Sequence, residues 1–200
     1  LRNLEITETL YDKNIKGSLL GVLDKTKTAM GARLIKKMLR EPLNDVEKIN
    51  DRLDAVEEIY LDPLLENDLV ESLKKIYDFE RLAARIATGT ANGKDLIALR
   101  NSIAVLPNIK ADLSSSGSNL LKDIHDGISN LEDIADLITE SISENAGFTI
   151  KEGGLIIDGY SEDLDNLKAS IKDAKTWIAG LEAHERERTG IKTLKVGYNK

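Results

Sequence analysis

The sequence predicts a mainly α protein: a multi-helix bundle with a small β-hairpin, then a long coiled-coil-like helix leading into a truncated β element. Three observations carry that expectation. The 200 residues are rich in Leu, Ile, Ala, Glu and Lys, with 4% aromatic residues and three prolines, a mixture that packs as helices rather than as a sandwich or barrel. Apolar residues recur at helical spacing through most of the chain. Near the C-terminus they recur at the tighter 3,4 spacing of a heptad seam.

The elements follow in order. Asn3-Leu4-Glu5-Ile6 reads as a short strand, and residues 18–23 as a short apolar helix ended by Asp24 and Lys25. From Thr28 to Arg40, Met30, Leu34, Ile35, Met38 and Leu39 share a helical face, and Pro42 stops the run. Asp45 starts a long helix with Val46, Ile49, Leu53, Val56, Ile59 and Tyr60 on one face, ending before Pro63. These stripes have ordinary amphipathic width and are expected to be core. Helices follow near 64–76 and 78–88. Asn92 is the expected N-cap of a helix to about Leu106, interrupted or kinked at Pro107. Residues 114–118, Ser-Ser-Ser-Gly-Ser, read as a flexible linker between that helix and two shorter ones near 119–127 and 130–143.

The texture then changes. Phe148 to Ile157 alternates around Gly153-Gly154 and predicts a small β-hairpin. Ser161 opens the next helix, with Glu162, Asp163 and Asp165 placed to suit the positive end of its dipole. Its apolar positions, Leu164, Leu167, Ile171, Ala174, Ile178 and Leu181, form a heptad seam that two and a half heptads cannot hide alone, so a partner helix is implied. Glu185-Arg186-Glu187-Arg188-Thr189-Gly190 then ends the helix, and a basic apolar/polar alternation begins and is cut off. The chain reads as a piece of something larger.

Two hundred residues suit one or two domains. No apolar run approaches the roughly 18–20 residues that span a bilayer, so no membrane partner is expected. With no cysteine, disulfides and thiolate sites are excluded, and the cytoplasm is the expected location. The net charge of −7 argues against a nucleic-acid binder along the whole length. Residues 186–200 carry a net +4, which leaves −11 on the other 185, so any phosphate contact belongs at the C-terminal end.

Two motifs come close to chemistry and miss it. Gly89-Thr90-Ala91-Asn92-Gly93-Lys94-Asp95 has three residues between its glycines instead of four, Asp95 where Ser or Thr would meet Mg²⁺, and a helix rather than a strand before it. A helix stop followed by an N-cap explains it better. His184-Glu185-Arg186-Glu187-Arg188 begins like a zinc-protease helix but places Arg188 at the second ligand position, with His125 far away in sequence. Carboxylate pairs such as Glu57/Glu58 are unavoidable among 35 acids, and nothing selects one as an acid/base dyad. No catalytic, cofactor or metal residue is assigned.

In sequence order, several blocks together resemble the MutS family of DNA mismatch repair proteins. They begin with Arg2-Asn3-Leu4-Glu5-Ile6, Met30-Gly31-x-Arg33 running to Leu39 and Pro42-Leu43, and Ile49-x-x-Arg52-Leu53-Asp54-x-Val56. Asp78-x-Glu80-Arg81-Leu82-x-x-Arg85-Ile86 and Asp95-Leu96-x-x-Leu99 follow. The last are Gly153-Gly154 to Gly159-Tyr160 with Leu164-Asp165, and Glu185 to Ile191 with Leu194-Lys195-Val196 and Tyr198-Asn199.

The resemblance implies that residues 1–152 are the first half of a central lever or core domain, MutS domain III-like, and that 153–200 begin a clamp domain, MutS domain IV-like. In such proteins the lever joins a distant ATPase domain to a clamp that holds the backbone of double-stranded DNA. The implied role is a non-catalytic connector in a homo-oligomeric mismatch recognition ATPase, with ATP and Mg²⁺ bound elsewhere in the full-length protein. Met30, Gly31, Arg33, Arg52, Asp54, Asp78, Arg81 and Arg85 become architectural positions: Gly31 for close helix approach, the Arg and Asp residues for inter-helix ion pairs. Lys192, Lys195, Asn199 and Lys200 are the candidates for DNA contact, the clamp's main contact region being expected beyond Lys200. The alternatives are a family member acting in recombination and a self-contained helical module that dimerises through the 164–181 seam.

Overall fold

A computed structural model of the chain describes residues 2–147, 149 and 152–195. The protein is mainly helical and divides into two compact units, Leu1–Leu155 and Ile156–Lys200.

The first unit opens on a 3-10 turn, Arg2–Leu4, where a strand was expected. Glu5 takes a φ of 48°, which breaks an extended run, and the Glu5 and Ile6 carbonyls accept from the amides of Leu19 and Leu20. The segment thus satisfies the open end of α1 (Leu19–Leu23) instead of pairing as a strand. Side-chain caps start most of the helices that follow. Thr28 accepts from Gly31 N at 3.0 Å to open α2 (Ala29–Arg40), and Asp45 accepts from Glu47 N and Lys48 N to open α3 (Val46–Leu61). Asp62 ends α3 and caps α4 (Pro63–Leu73), where Pro63 fills a position whose amide needs no partner. Asp78 caps α5 (Phe79–Ala87), and Asn92 caps α6 (Gly93–Ile103).

Pro107 does not kink a continuous helix. α6 stops at Ile103, and Pro107 lies in the first turn of a new one, α7 (Leu106–Asp112), where its missing N–H is harmless. α8 (Asn119–Gly127) and α9 (Glu132–Ser141) complete the unit. The serine-rich stretch between α7 and α8 is a built turn rather than a flexible linker. Its Gly117 and Ser118 amides donate to the Glu58 carboxylate at 2.7 and 2.8 Å, and Ser116 is buried.

The core cluster is Ala55, Val105, Ile109, Leu113 and Leu121, with Ile59, Leu69, Ile76, Leu120 and Ile128 packed against it. α3 lies against α4 and α8, α4 against α7, and α6 against both α5 and α9. Deleting a buried Ile or Leu side chain here would cost about 2–5 kcal/mol. The expected core face of α3 is corrected. Only Ala55 of that helix is buried and Ile59 is half-buried, while Val46, Leu53, Val56 and Tyr60 are exposed. The small Ala55 lets the neighbouring helices close on that side, which turns the larger apolar stripe outward. α2 likewise buries none of its residues completely.

The expected hairpin falls partly on Phe148, Ile150 and Lys151, outside the described residues. Gly153 and Gly154 take φ of 73° and 67°, as a Gly-Gly turn requires, but no strand forms among the described residues around them.

In the second unit α10 (Glu162–Thr189) starts at Ser161, whose hydroxyl accepts from Leu164 N. It ends at Gly190, whose φ of 71° favours glycine and whose amide donates to the Arg186 carbonyl. Its 28 residues extend roughly 42 Å at 1.5 Å per residue. The basic strand expected next has not begun by Lys195, and Val196–Lys200 lie outside the described residues.

Candidate functional site

Helix capping and ion pairing coincide at the residues that bind the first unit together. Arg33 projects from α2 across to the start of α5. Its Nη1 and Nη2 donate to Asp78 Oδ2 and Oδ1 at 2.8 and 2.7 Å, a two-pronged pair. Nε and Nη2 also donate to Glu80 Oε2 at 2.9 and 2.5 Å. Asp78 accepts in addition from the Arg81 amide at 3.2 Å, which makes it both the cap of α5 and the anchor of α2. Its bonds to the Arg33 guanidinium hold the Asp78 carboxyl down to about 2, and the same contact raises Arg33 above its ordinary value.

A second pair follows at the other end of α5. Arg85 meets Asp95 at 3.0 Å and donates to the Thr90 carbonyl at 3.1 Å. Asp95 also accepts from the Asn92 amide at 2.8 Å while Asn92 Oδ1 accepts from the Asp95 amide at 3.0 Å, a reciprocal capping box. The Gly89, Thr90 and Ala91 amides donate back to carbonyls of α5, and Asn92 and Asp95 bond each other and Arg85, so the loop is built as a helix stop followed by an N-cap. Gly93 serves close packing: a Cβ there would come within 2.4 Å of Ala146 Cβ. Ser102, fully buried, accepts from Tyr77 N at 2.9 Å and donates to the Ala98 carbonyl at 2.8 Å, tying the α4–α5 connection to α6. Arg100 pairs with Glu144, linking α6 to the segment after α9.

Over residues 1–194 the chain matches the family model for MutS domain III. The chain belongs to the MutS domain III family. Proteins named DNA mismatch repair protein MutS in Alkaliphilus oremlandii and Desulforamulus reducens are 52% and 50% identical to it over 199 residues, all of this chain and 23% of each relative. The one in Clostridium perfringens is 49% identical, again over the whole chain and 22% of the relative. The chain thus spans less than a quarter of the length of these relatives.

Several domain III positions singled out from the sequence meet in this network, and others do not. Arg33, Asp78 and Arg85 form inter-element ion pairs. Arg52 is half-buried and Asp54 exposed on α3, and among the described residues neither forms an ion pair. Arg81 contributes its amide to the cap, while its side chain lines a crevice of about 360 Å³ with Tyr77 and Asp78. Met30 is half-buried. Gly31 is tight, but against its own cap rather than a neighbouring helix: an added Cβ would lie 3.1 Å from Thr28 Oγ1 and 3.2 Å from Thr26 Cβ. The partners Glu80, Asp95, Ser102 and Glu144 were not assigned from the sequence. Glu80 and Asp95 had a signal, their places in the Asp78-x-Glu80-Arg81 and Asp95-Leu96-x-x-Leu99 blocks, whereas Ser102 and Glu144 had none.

In the second unit Leu167 and Ile171 are exposed, as is Ala174, while Leu164, Ile178 and Leu181 are half-buried. The basic end is more occupied than its charge suggested. Arg186 pairs with Glu182 and donates through Nε to the Leu194 carbonyl at 2.7 Å, and Arg188 donates to Glu185 at 2.7 to 3.1 Å. Lys192 and Lys195 are exposed, and Asn199 and Lys200 lie outside the described residues. Among the described residues no His, Asp and Glu cluster is arranged to hold a metal ion, and no helix is long and apolar enough to cross a membrane.

Proposed function

We propose that this chain is the non-catalytic connector of a mismatch recognition ATPase, transmitting nucleotide-dependent movement to a clamp on DNA. The observation that carries the reading is the Arg33–Asp78–Glu80 junction in a chain of the MutS domain III family. Displacement passes between distant sites only through elements that move as units, and two-pronged pairing across helices resists local yielding. The first unit is the lever. The second, with its long helix and exposed seam, is the start of the clamp, and a returning helix covers Leu167, Ile171 and Ala174. ATP and Mg²⁺ bind elsewhere in the full-length protein, which works as a homo-oligomer on the backbone of double-stranded DNA in the cytoplasm. Lys192 and Lys195 add minor backbone contacts. The mismatch-repair role is preferred to a recombination role because the relatives described above carry the repair name.

Arg33→Ala in the full-length protein tests this. The variant should keep DNA-independent ATP hydrolysis, while the mismatch-dependent change in hydrolysis shrinks by about fivefold or more, the range of ordinary coupling energies. Arg33→Lys, which keeps the charge but not the fork, should fall between. Unaltered coupling in a folded Arg33→Ala protein contradicts the reading.

A further inference from the structure

Asn92–Gly93 is the single Asn-Gly step in the 200 residues. At such a step the main chain attacks the preceding side chain most readily, because glycine has no Cβ to crowd its own amide. The Gly93 amide also lies in the first turn of α6, among those with no acceptor inside the helix. Three features hold the attack off. Asn92 has a ψ of 176°, which staggers Gly93 N against Asn92 Cβ, whereas ring closure needs the two eclipsed. The capping box fixes the asparagine at both ends: the Asp95 amide donates to its Oδ1, and its own amide donates to the Asp95 carboxylate. Arg85 then clamps the chain on either side of the step, meeting the Thr90 carbonyl before it and Asp95 after it.

We propose that Asn92 is a site of spontaneous deamidation, with Arg85 as the positioning residue that keeps it closed. When the cap opens, Gly93 N gives up its proton to water and bonds to Asn92 Cγ. The bond from Cγ to the side-chain nitrogen breaks, and that nitrogen takes a proton from water and leaves as ammonia. A further water opens the succinimide ring at either carbonyl, giving aspartate or isoaspartate. The two products differ in consequence. Aspartate keeps the cap, since its carboxylate accepts from the Asp95 amide as the asparagine oxygen did. Isoaspartate inserts a methylene into the main chain where there is no spare room: a Cβ on Gly93 would already lie 2.4 Å from Ala146 Cβ and 2.6 Å from Leu155 Cδ1. The start of α6 has to move, and Asp95 leaves Arg85 with it. The modification is thus an irreversible break in the link between α5 and α6, whether or not the first unit is a lever.

The test follows the Asn92 peptide of the full-length protein by mass spectrometry during incubation at mildly alkaline pH, natively and in urea. Labelling with an isoaspartyl methyltransferase reads the isoaspartate fraction. In urea Asn92 should convert faster than any other asparagine of residues 1–200. In the native protein it should convert about tenfold more slowly or less, because conversion awaits local opening. Arg85→Ala should raise the native rate several-fold while circular dichroism shows the helices intact. Asp95→Asn, a milder change, should raise it less, and it carries the comparison alone if Arg85→Ala does not fold. No conversion of Asn92 in urea, a native rate equal to the rate in urea, or wild-type rates in the folded variants would each overturn the proposal.

Discussion

Glu58 shows how much one side chain on an exposed helix face can organise. Its two oxygens receive the amides of Gly117 and Ser118, so a single carboxylate fixes the turn that the sequence presented as five small flexible residues. Those amide bonds, Gly117 first, hold Glu58 below the ordinary glutamate value of 4.5. A carboxylate depressed in the folded state stabilises above its unfolded value, and that contribution is lost as pH falls through the folded one. Glu58→Gln should therefore lower the unfolding midpoint at neutral pH and lose part of the wild-type acid dependence below pH 4.5, measured by urea titration at several pH values. An acid limb identical to wild type would contradict it. Asn92 is the second residue of this kind. Removing its cap with Asn92→Ala should cost about 1 kcal/mol in denaturant unfolding. A neutral result would mean that Asp95, held by Arg85, sustains the helix start alone.

At the scale of elements, helices were legible wherever local chemistry decides. Thr28, Asp45, Asn92 and Ser161 stand at the helix starts that their capping chemistry implies, and Gly190 at the stop. The facing of α3 was not legible. A stripe at 3,4 spacing states that something apolar is to be covered without saying by what, and Ala55 carries no periodic signal strong enough to outvote the five larger residues Val46, Ile49, Leu53, Val56 and Tyr60. The resemblance marked Arg33 and Asp78 for inter-helix ion pairs, but which residue meets which was hidden for another reason. Arg33 and Asp78 are 45 residues apart, and nothing local connects them. The same ambiguity attends α10, whose seam serves a returning helix or a second copy equally well by pattern. In the full-length protein Leu167→Lys with Ile178→Lys should lower the thermal midpoint and leave subunit stoichiometry unchanged in sedimentation. A shift toward a smaller assembly would instead make the seam a dimer contact.

For the molecule as a whole, the proposed lever requires the first unit to move as one stiff body. Salt bridges with partners this exposed contribute little singly to stability, and their worth here lies in geometry. Arg33 joins α2 to α5, Arg85 joins α5 to α6, and Arg100 joins α6 to the segment following α9, a continuous path across the unit. Such a path transmits displacement if the unit moves without deforming. Residues 1–200 contain no cysteine, so single cysteines introduced here are the only labelling sites within this region, any cysteines elsewhere in the full-length protein being replaced first. The most direct measurement is pulsed electron resonance on the full-length protein with DNA, with spin labels at Lys36→Cys and Asp123→Cys, and separately at Lys36→Cys and Ala183→Cys. On addition of ATP the first distance should stay constant and the second should change. A first distance that changes, or a second that does not respond, would contradict the lever.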